Sequence, residues 1–352
     1  MTRLQSALFA ALLALFPNIA PSGDVALAHD ARPSEAELPA DLRLLPDDTV
    51  LFCRLRMNAL WDTDAARQWQ ADQKDRPGSW GRFEATFKKQ YGVSPEAVTA
   101  ITMACGSARD EDIFALVTTD KPYDRAAVLK AVLPDAQEGQ HSKKPLWTSA
   151  SRPDRALHFI SDTTFVVAPS VNVKNYLDAR VGGAEKGPLG HALRLTSEPH
   201  PLVVGIREDG IRGAAPKDPA AEPAKGVARL LHPRGATVPD VVTVTTVVDY
   251  AGSEATGRTI VAFADEATAT KSVGAVKERV RFLRLVPLAL AFSQGKDDDL
   301  TPAVKLLDRT TKALDTPAVV QKGKTVEVVI SVDIGADDQI HALRVLSGMF
   351  AR

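Results

Sequence analysis

Seven histidines are the side chains best suited to metal binding or proton transfer, and the sequence scatters them singly at positions 29, 141, 158, 191, 200, 232 and 341. None forms an H-E-x-x-H, H-x-H or Cys-x-x-Cys-His pattern, in which short spacing brings ligands to one metal ion. The sequence therefore predicts neither a metal site nor a cofactor from these residues. A single histidine on a sheet or helix face is more often structural or solvent-facing, which is our interpretation of His158 and His341.

His29 is the one histidine considered as a copper ligand. A small-residue motif, V-A-L-A, ends at Ala28, and cleavage there would leave His29 with a free α-amine beside its imidazole. Such an amino-terminal histidine chelates copper when a second histidine arrives from elsewhere. Because Asp30 and a flexible acidic stretch follow, copper binding is kept only as a remote alternative.

Motifs for a nucleophile or a phosphate are missing from the chain. G-x-S-x-G, which exposes a serine on a tight turn, does not occur, and neither do GxxxxGK[ST] and GxGxxG. The glycine-rich run 181–190 is interpreted as a joint between two units. A catalytic site can also be assembled from distant residues, so a hydrolase stays an alternative. Its sign would be a pocket with a Ser or Asp within hydrogen-bond reach of His158, His191 or His200.

Cys53 and Cys105 are the two cysteines, and each lies on the alternating apolar face of a strand-like run. If those strands are neighbours, a disulfide would close a loop of about 50 residues and add about 4 kcal/mol in the chain-entropy model. Two buried free thiols are the other alternative, because the sequence does not fix the Cα separation that a disulfide requires. Neither cysteine has a histidine or basic cluster nearby in sequence, which disfavours a catalytic thiol.

Three of the four tryptophans, Trp61, Trp69 and Trp80, fall in the long helical stretch of the first unit. Core packing against a sheet is the ordinary interpretation for Trp61. Trp69 and Trp80 lie among polar residues, which predicts a partly exposed aromatic patch. We expect these three residues to mark the binding site for a ligand or partner.

The first 28 residues have the pattern of a secretory signal peptide. Arg3 precedes the mostly apolar run Leu4–Phe16, and small residues stand at the −3 and −1 positions before the expected cleavage after Ala28. The run is shorter than the roughly 20 residues of a membrane-spanning helix. We therefore expect a periplasmic or secreted protein with no transmembrane segment after cleavage.

Charge and composition exclude some classes of partner. The formal net charge is −1, with 43 basic and 44 acidic side chains, and 45% of the residues are hydrophobic. A nucleic-acid-binding protein normally carries a basic surface, so we expect no nucleic-acid partner. The apolar run 282–292 contains Arg284 and Pro287 and is interpreted as a kinked core helix.

The chain is predicted to form two tandem α+β units after a flexible leader at 29–41. The units span 42–190 and 191–352, and the second contains an insertion rich in Ala, Pro and Gly at 212–240. Hairpins and strand-strand-helix runs outnumber βαβ alternation in both. This pattern predicts, in each unit, a mostly antiparallel sheet with helices packed on one face. Whether the repeated layout reflects duplication is left open.

The domain starts resemble those of a group of uncharacterised bacterial secreted proteins. The matching residues are the Leu45–Leu51 corner and strand, Leu60-Trp61, Phe114, the Tyr123–Leu129 helix and the hairpin at 162–169. These motifs are structural, and the group brings no activity with it. The resemblance implies an α+β fold and leaves function to other arguments.

We therefore expect an exported, non-enzymatic protein that binds an unknown protein or a small apolar ligand. The site would lie between the two units or at the helices of Trp61 to Trp80. Besides the assembled hydrolase, a purely structural component of the cell envelope is an alternative. It would show an exposed apolar patch and no pocket.

Overall fold

The fold is built on one large antiparallel sheet. The computed structural model describes residues 38–71, 79–106, 113–208, 240–251, 254–283, 317–333 and 340. The strands are β1 Leu51–Arg56, β2 Val98–Cys105, β3 Ile113–Thr119, β4 Gln137–His141, β5 Lys144–Thr148, β6 Ala156–Phe159, β7 Thr164–Ala168, β8 Leu202–Arg207, β9 Val241–Ala251, β10 Glu254–Phe263, β11 Ala318–Lys322 and β12 Thr325–Asp333.

Helices connect or flank these strands. In chain order they are α1 Met57–Trp61, α2 Asp64–Ala71, α3 Trp80–Tyr91, α4 Arg125–Val132, α5 Ser170–Asp178, α6 Gly190–Leu195 and α7 Glu266–Leu283. Short 3₁₀ turns cover Leu42–Leu44, Pro95–Ala97 and Ala184–Lys186. The prediction of an α+β chain with an antiparallel sheet is confirmed.

The twelve strands form a single sheet in the order β11-β12-β10-β9-β8-β1-β2-β3-β7-β6-β5-β4. Strands β1 to β7 come from the first predicted unit and β8 to β12 from the second. The two sets meet where β1 pairs antiparallel with β8, with Cys53 opposite Val204 and Leu55 opposite Leu202. The predicted units therefore share one sheet.

Both halves of the sheet use the same order of strands. In the first half the order is β1-β2-β3-β7-β6, and in the second it is β8-β9-β10-β12-β11. The helix that follows the third strand, α4 or α7, packs on the same sheet face in both halves. The hairpin β4–β5 is an addition to the first half, where β5 pairs with the outer side of β6.

Helices cover both sheet faces, so the prediction of helices on one face is wrong. On the first face, Leu51, Cys53 and Leu55 share one hydrophobic cluster with residues of α1 to α4, whereas Phe52 belongs to a second cluster with α5 and α6 on the other face. A central strand that is buried on both sides has apolar residues at successive positions. The consecutive apolar residues Leu51, Phe52 and Cys53 of β1 show this pattern.

The end of the predicted leader is fixed to the sheet. Asp41, the last residue of the 29–41 segment, is buried and receives hydrogen bonds from the Arg54 guanidinium at 3.1 Å. Thr102 Oγ1 donates to the same carboxylate at 3.3 Å. The first 37 residues, with the predicted signal peptide and His29, and positions 212–239 of the predicted insertion lie outside the described residues, whereas Asp240 is described next to β9. Positions 284–292 of the predicted kinked helix and His341 also lie outside them.

Candidate functional site

The three predicted tryptophans come together in a cap of helices between β1 and β2. We call residues 57–71 and 79–97 the helical cap; it contains α1, α2 and α3. The ring centroids of Trp61 and Trp80 are 5.0 Å apart and those of Trp69 and Trp80 are 5.1 Å apart, both edge-to-face. Phe83 lies 5.3 to 5.9 Å from all three tryptophan rings. The result is an aromatic cluster of four rings.

This aromatic cluster is buried, so the expected exposure of Trp69 and Trp80 is wrong. Only 8% of Trp61, 1% of Trp69 and 6% of Trp80 is exposed. The polar sequence of α2 concealed the burial, because Ala65, Ala66 and Trp69 lie on one helix face while the polar residues occupy the other. The binding role predicted for these tryptophans stays a prediction.

Two indole hydrogen bonds fasten the cluster to the turn that leads into β2. Trp61 Nε1 donates to the carbonyl oxygen of Pro95 at 3.0 Å, and Trp80 Nε1 donates to Glu96 Oε1 at 3.2 Å. Buried indole N–H groups need such acceptors. Trp61 and Trp80 are therefore fixed at both the ring and the nitrogen.

Sequence reasoning missed three other aromatic residues of α3 that follow Trp80. Phe83, Phe87 and Tyr91 follow one another at intervals of four, and their rings form a row with centroid distances of 5.6 and 4.7 Å. Residues four apart share one helix face, so this spacing was a usable signal. The row extends the aromatic cluster along α3 towards α4.

Among the histidines that the structure describes, His200 has a side-chain partner at each ring nitrogen. Its Nδ1 lies 2.6 Å from Asp249 Oδ1 and its Nε2 lies 3.0 Å from Glu198 Oε2. A base that activates a nucleophile needs one ring nitrogen facing that nucleophile and the other facing an orienting group. Both nitrogens of His200 face carboxylates, so this arrangement links β9 to the loop before β8 and leaves no nitrogen for a serine.

His141, Ser142 and Asp178 also contain the residue types of a hydrolytic triad, but with different connections. His141 Nε2 lies 2.7 Å from Asp178 Oδ2, and the Ser142 hydroxyl donates to the other oxygen of the same carboxylate. In a triad the serine bonds to the histidine. Here both side chains tie the β4–β5 turn to the end of α5. These bonds also lower the pKa of Asp178.

The other two histidines considered for a hydrolytic site, His158 and His191, have a local structural partner or surroundings that oppose protonation. His158 Nδ1 lies 2.7 Å from the carbonyl oxygen of Pro145, and burial lowers the pKa of His158. Burial and the charges of Arg194 and Arg258 lower the pKa of His191. Both are expected to be neutral at pH 7.

Asp135 accepts hydrogen bonds from the hydroxyls of Ser149 and Ser151 and from the Ser151 amide. Hydrogen bonding to the charged form holds the pKa of this carboxyl well below its usual range. Arg152 in the same turn donates to the carbonyls of Ala131 and Val132 at the end of α4. The group fixes a loop to a helix end.

Cys53 and Cys105 are both buried, and no disulfide joins them. Cys105 stands opposite Leu51 and Cys53 opposite Met103, so the cysteines are diagonal neighbours on one face of adjacent strands. Diagonal Cα atoms are separated by about 7 to 8 Å, whereas a disulfide needs roughly 4.4 to 6.8 Å. Burial also raises the pKa of Cys53, which suppresses its reactive thiolate.

The part of the chain that the structure describes has neither a cluster of metal ligands nor a helix that could span a membrane. No group of three His, Cys, Asp or Glu side chains in these residues converges as metal ligands would. No helix among the same residues is long and apolar enough to span a bilayer.

Comparisons with known proteins give structural likeness only. No family model and no curated protein matches the sequence, so the resemblance to the uncharacterised secreted group stays a prediction. Crystal form III of a protein called TP0453 aligns over 86% of this chain and 97% of its own, with 9% identity and a TM-score of 0.43. Crystal form I aligns over 90% and 99%, with 8% identity and a TM-score of 0.39. The chain is thus similar to TP0453 over most of both lengths, at values that carry no functional argument.

Proposed function

We propose that this chain is an exported, non-enzymatic binding protein and that the helical cap takes a small apolar ligand. The observation that supports the proposal is the burial of Trp69. Trp69 is the one large side chain by which α2 is buried, since the other buried residues of this helix are Ala65 and Ala66. A ligand that replaces Trp69 would find the rings of Trp80 and Phe83 as its contacts.

The helix α2 is suited to such an opening. It has eight residues and its acidic and basic side chains Asp64 and Arg67 pair with each other on the exposed surface. Isolated helices of this length are unstable in water, and elements with few buried contacts open at low free-energy cost. Trp69 is therefore the main contact that a competing ligand has to displace.

The ring geometry indicates the chemistry of the ligand. Trp69 stacks on Phe83 with an interplanar angle of 26° and meets Trp80 edge-on. A flat apolar molecule would reproduce both contacts. Binding by burial and ring contact requires no cofactor and no covalent step.

Fluorescence titration with the apolar probe N-phenyl-1-naphthylamine tests this site. Wild-type protein should bind the probe saturably, with quenching of tryptophan emission. Trp69→Ala removes the competing ring, so we expect its affinity to rise about tenfold, equivalent to about 1.4 kcal/mol. Trp147→Ala, on β5 and outside the helical cap, is the control and should bind as wild type does.

Circular dichroism and urea unfolding of each variant establish that it is folded before affinities are compared. Equal affinity of Trp69→Ala and Trp147→Ala would contradict the site, as would a lack of saturable binding by all three proteins. The non-enzymatic part has its own test. Turnover of p-nitrophenyl esters that disappears in His200→Ala would show a hydrolase instead.

The proposal that the protein is exported rests on the signal-peptide pattern of residues 1–28. Amino-terminal sequencing of protein recovered from a periplasmic extract should begin at His29. Recovery of the uncleaved chain from the cytoplasm would overturn this part of the proposal without affecting the ligand site.

A further inference from the structure

We propose that two copies of this chain pair through strand β11 and form a dimer with one continuous sheet. This interaction surface is independent of the ligand proposed for the helical cap. β11, Ala318–Lys322, is one edge of the twelve-stranded sheet, and β4, Gln137–His141, is the other. The two edges differ strongly in the chemistry that they present to another strand.

The β4 edge is protected against pairing. Its sequence is Q-E-G-Q-H, and its first four residues are exposed. Charged and polar side chains on a short edge strand oppose the addition of another strand. β11 has the sequence A-V-V-Q-K, and its central residues are only partly exposed. The β-branched side chains of Val319 and Val320 favour a paired, half-buried strand.

The backbone of β11 offers regularly spaced partners. Lys322 and Thr325 close the two-residue turn between β11 and β12, and in such hairpins the closing pair exchanges hydrogen bonds. By the alternation of an antiparallel ladder, Val320 also bonds to β12. Val319 and Gln321 therefore direct their N–H and C=O groups away from it, towards an incoming strand.

The repeated strand order allows the β11 edge to be compared with the equivalent strand of the first half, which does have an outer partner. β11 holds the same place in the second half as β6 does in the first. The outer side of β6 is paired antiparallel with β5, where Trp147 stands opposite Leu157 and Thr148 opposite Ala156. Within the described residues, β11 has no counterpart of β5. An antiparallel strand from a second copy would supply one.

A second copy fits this edge in register. With Val320 opposite Val320 of the other copy, Val319 stands opposite Gln321 and Ala318 opposite Lys322, so that the outward N–H and C=O groups meet. No like charges face each other, and Lys322 lies 3.5 Å from Glu327 of its own chain. The two valines on the axis form a favourable cross-strand pair. The central pairing of β1 with β8 already joins the two halves in the same antiparallel manner.

The length of β11 limits the strength of the dimer. Pro317 precedes the strand and has no N–H to donate, so pairing is restricted to five residues. Such a contact is smaller than the roughly 1,200 Å² of a standard stable interface. We therefore expect a weak dimer whose population rises with protein concentration.

Sedimentation velocity over about 1 µM to about 1 mM, which spans weak to moderate affinities, tests the proposal. The wild-type chain should shift from monomer towards dimer. Val319→Pro removes an outward N–H without removing a bond to β12, and should stay monomeric with unchanged circular dichroism. Glu138→Pro makes the matching change on β4 and should dimerise as wild type does.

Val319→Lys is a second variant in case the proline disturbs the hairpin, and it too should be monomeric. A wild-type chain that is monomeric throughout the range overturns the proposal. So does a dimer that both Val319 variants retain, or one that Glu138→Pro abolishes.

Discussion

At the residue scale, the buried ion pair of Arg54 and Asp41 joins several parts of the fold. The Arg54 guanidinium donates to both oxygens of Asp41 and to the carbonyl of Thr196. Asp41 also accepts from Thr102. A buried ion pair stabilises its surroundings when its hydrogen bonds are satisfied. This network holds the start of the folded chain, β1, β2 and the end of α6 together.

Removal of one partner should be costly. Arg54→Met leaves the Asp41 carboxylate buried without its counter-ion, and we expect a loss of about 3 to 5 kcal/mol in the free energy of unfolding. Arg67→Met breaks the exposed pair with Asp64 and should cost about 0 to 1 kcal/mol. Urea unfolding of both variants measures the difference. Equal losses of unfolding free energy in the two variants would contradict the stabilising role assigned to the Arg54–Asp41 pair.

The lowered pKa of His158 predicts a dependence of stability on pH. The unfolded chain binds a proton near pH 6.5, whereas burial opposes protonation of folded His158. Stability from this residue is thus complete above pH 6.5 and is lost as the pH falls towards the lowered pKa. His158→Gln keeps a donor for Pro145 and should lose less stability than wild type between pH 7.5 and 5. Parallel urea midpoints for the two proteins would contradict this assignment.

At the scale of elements, α3 is positioned by how it ends. Gly92 follows Tyr91 with a φ of +76°, and its amide donates to the carbonyl of Lys88 at 2.9 Å. An added Cβ would lie 2.5 Å from the carbonyl oxygen of Ala127 in α4. A left-handed residue without a side chain is therefore required where α3 meets α4.

Gly92→Ala should destabilise the protein by about 1 to 3 kcal/mol, through backbone strain and overpacking. Gly274→Ala is the matched control, because an added Cβ there has open space in the interior of α7. That change should stabilise the protein by roughly 0.5 to 1 kcal/mol. Thermal unfolding distinguishes the two. A neutral Gly92→Ala variant would mean that α3 and α4 separate easily.

At the scale of the whole molecule, the join between the halves is a close packing contact. Gly205 of β8 stands opposite Phe52 of β1, and an added Cβ would collide with the Phe52 ring and lie 2.9 Å from Ala192 Cβ. The ring covers the glycine and connects β1 with β8 and α6. The two halves of the sheet are thus packed together at their centre as well as hydrogen-bonded.

The sequence alone predicted the α+β class and the antiparallel sheet, because these depend on local patterns. Alternating apolar residues and turns such as the one between β6 and β7 show which segments pair as hairpins. The helical spacing across α1, α2 and α3 likewise placed three tryptophans in one stretch of chain. Each of these signals lies within about 20 residues, which is the reach of a pattern read along the chain.

Only the tertiary structure decided which side of each element is covered. The polar residues around Trp69 gave no sign that its ring packs against Trp80 and Phe83 of α3. The sequence of β1 likewise did not reveal β8, which is far away along the chain, as its neighbour in the sheet. Of the two carboxylates beside His200, Glu198 is a near neighbour in sequence, whereas Asp249 comes from β9 by a distant contact. Burial and partner choice depend on contacts between remote segments, and those contacts leave no regular spacing in the sequence.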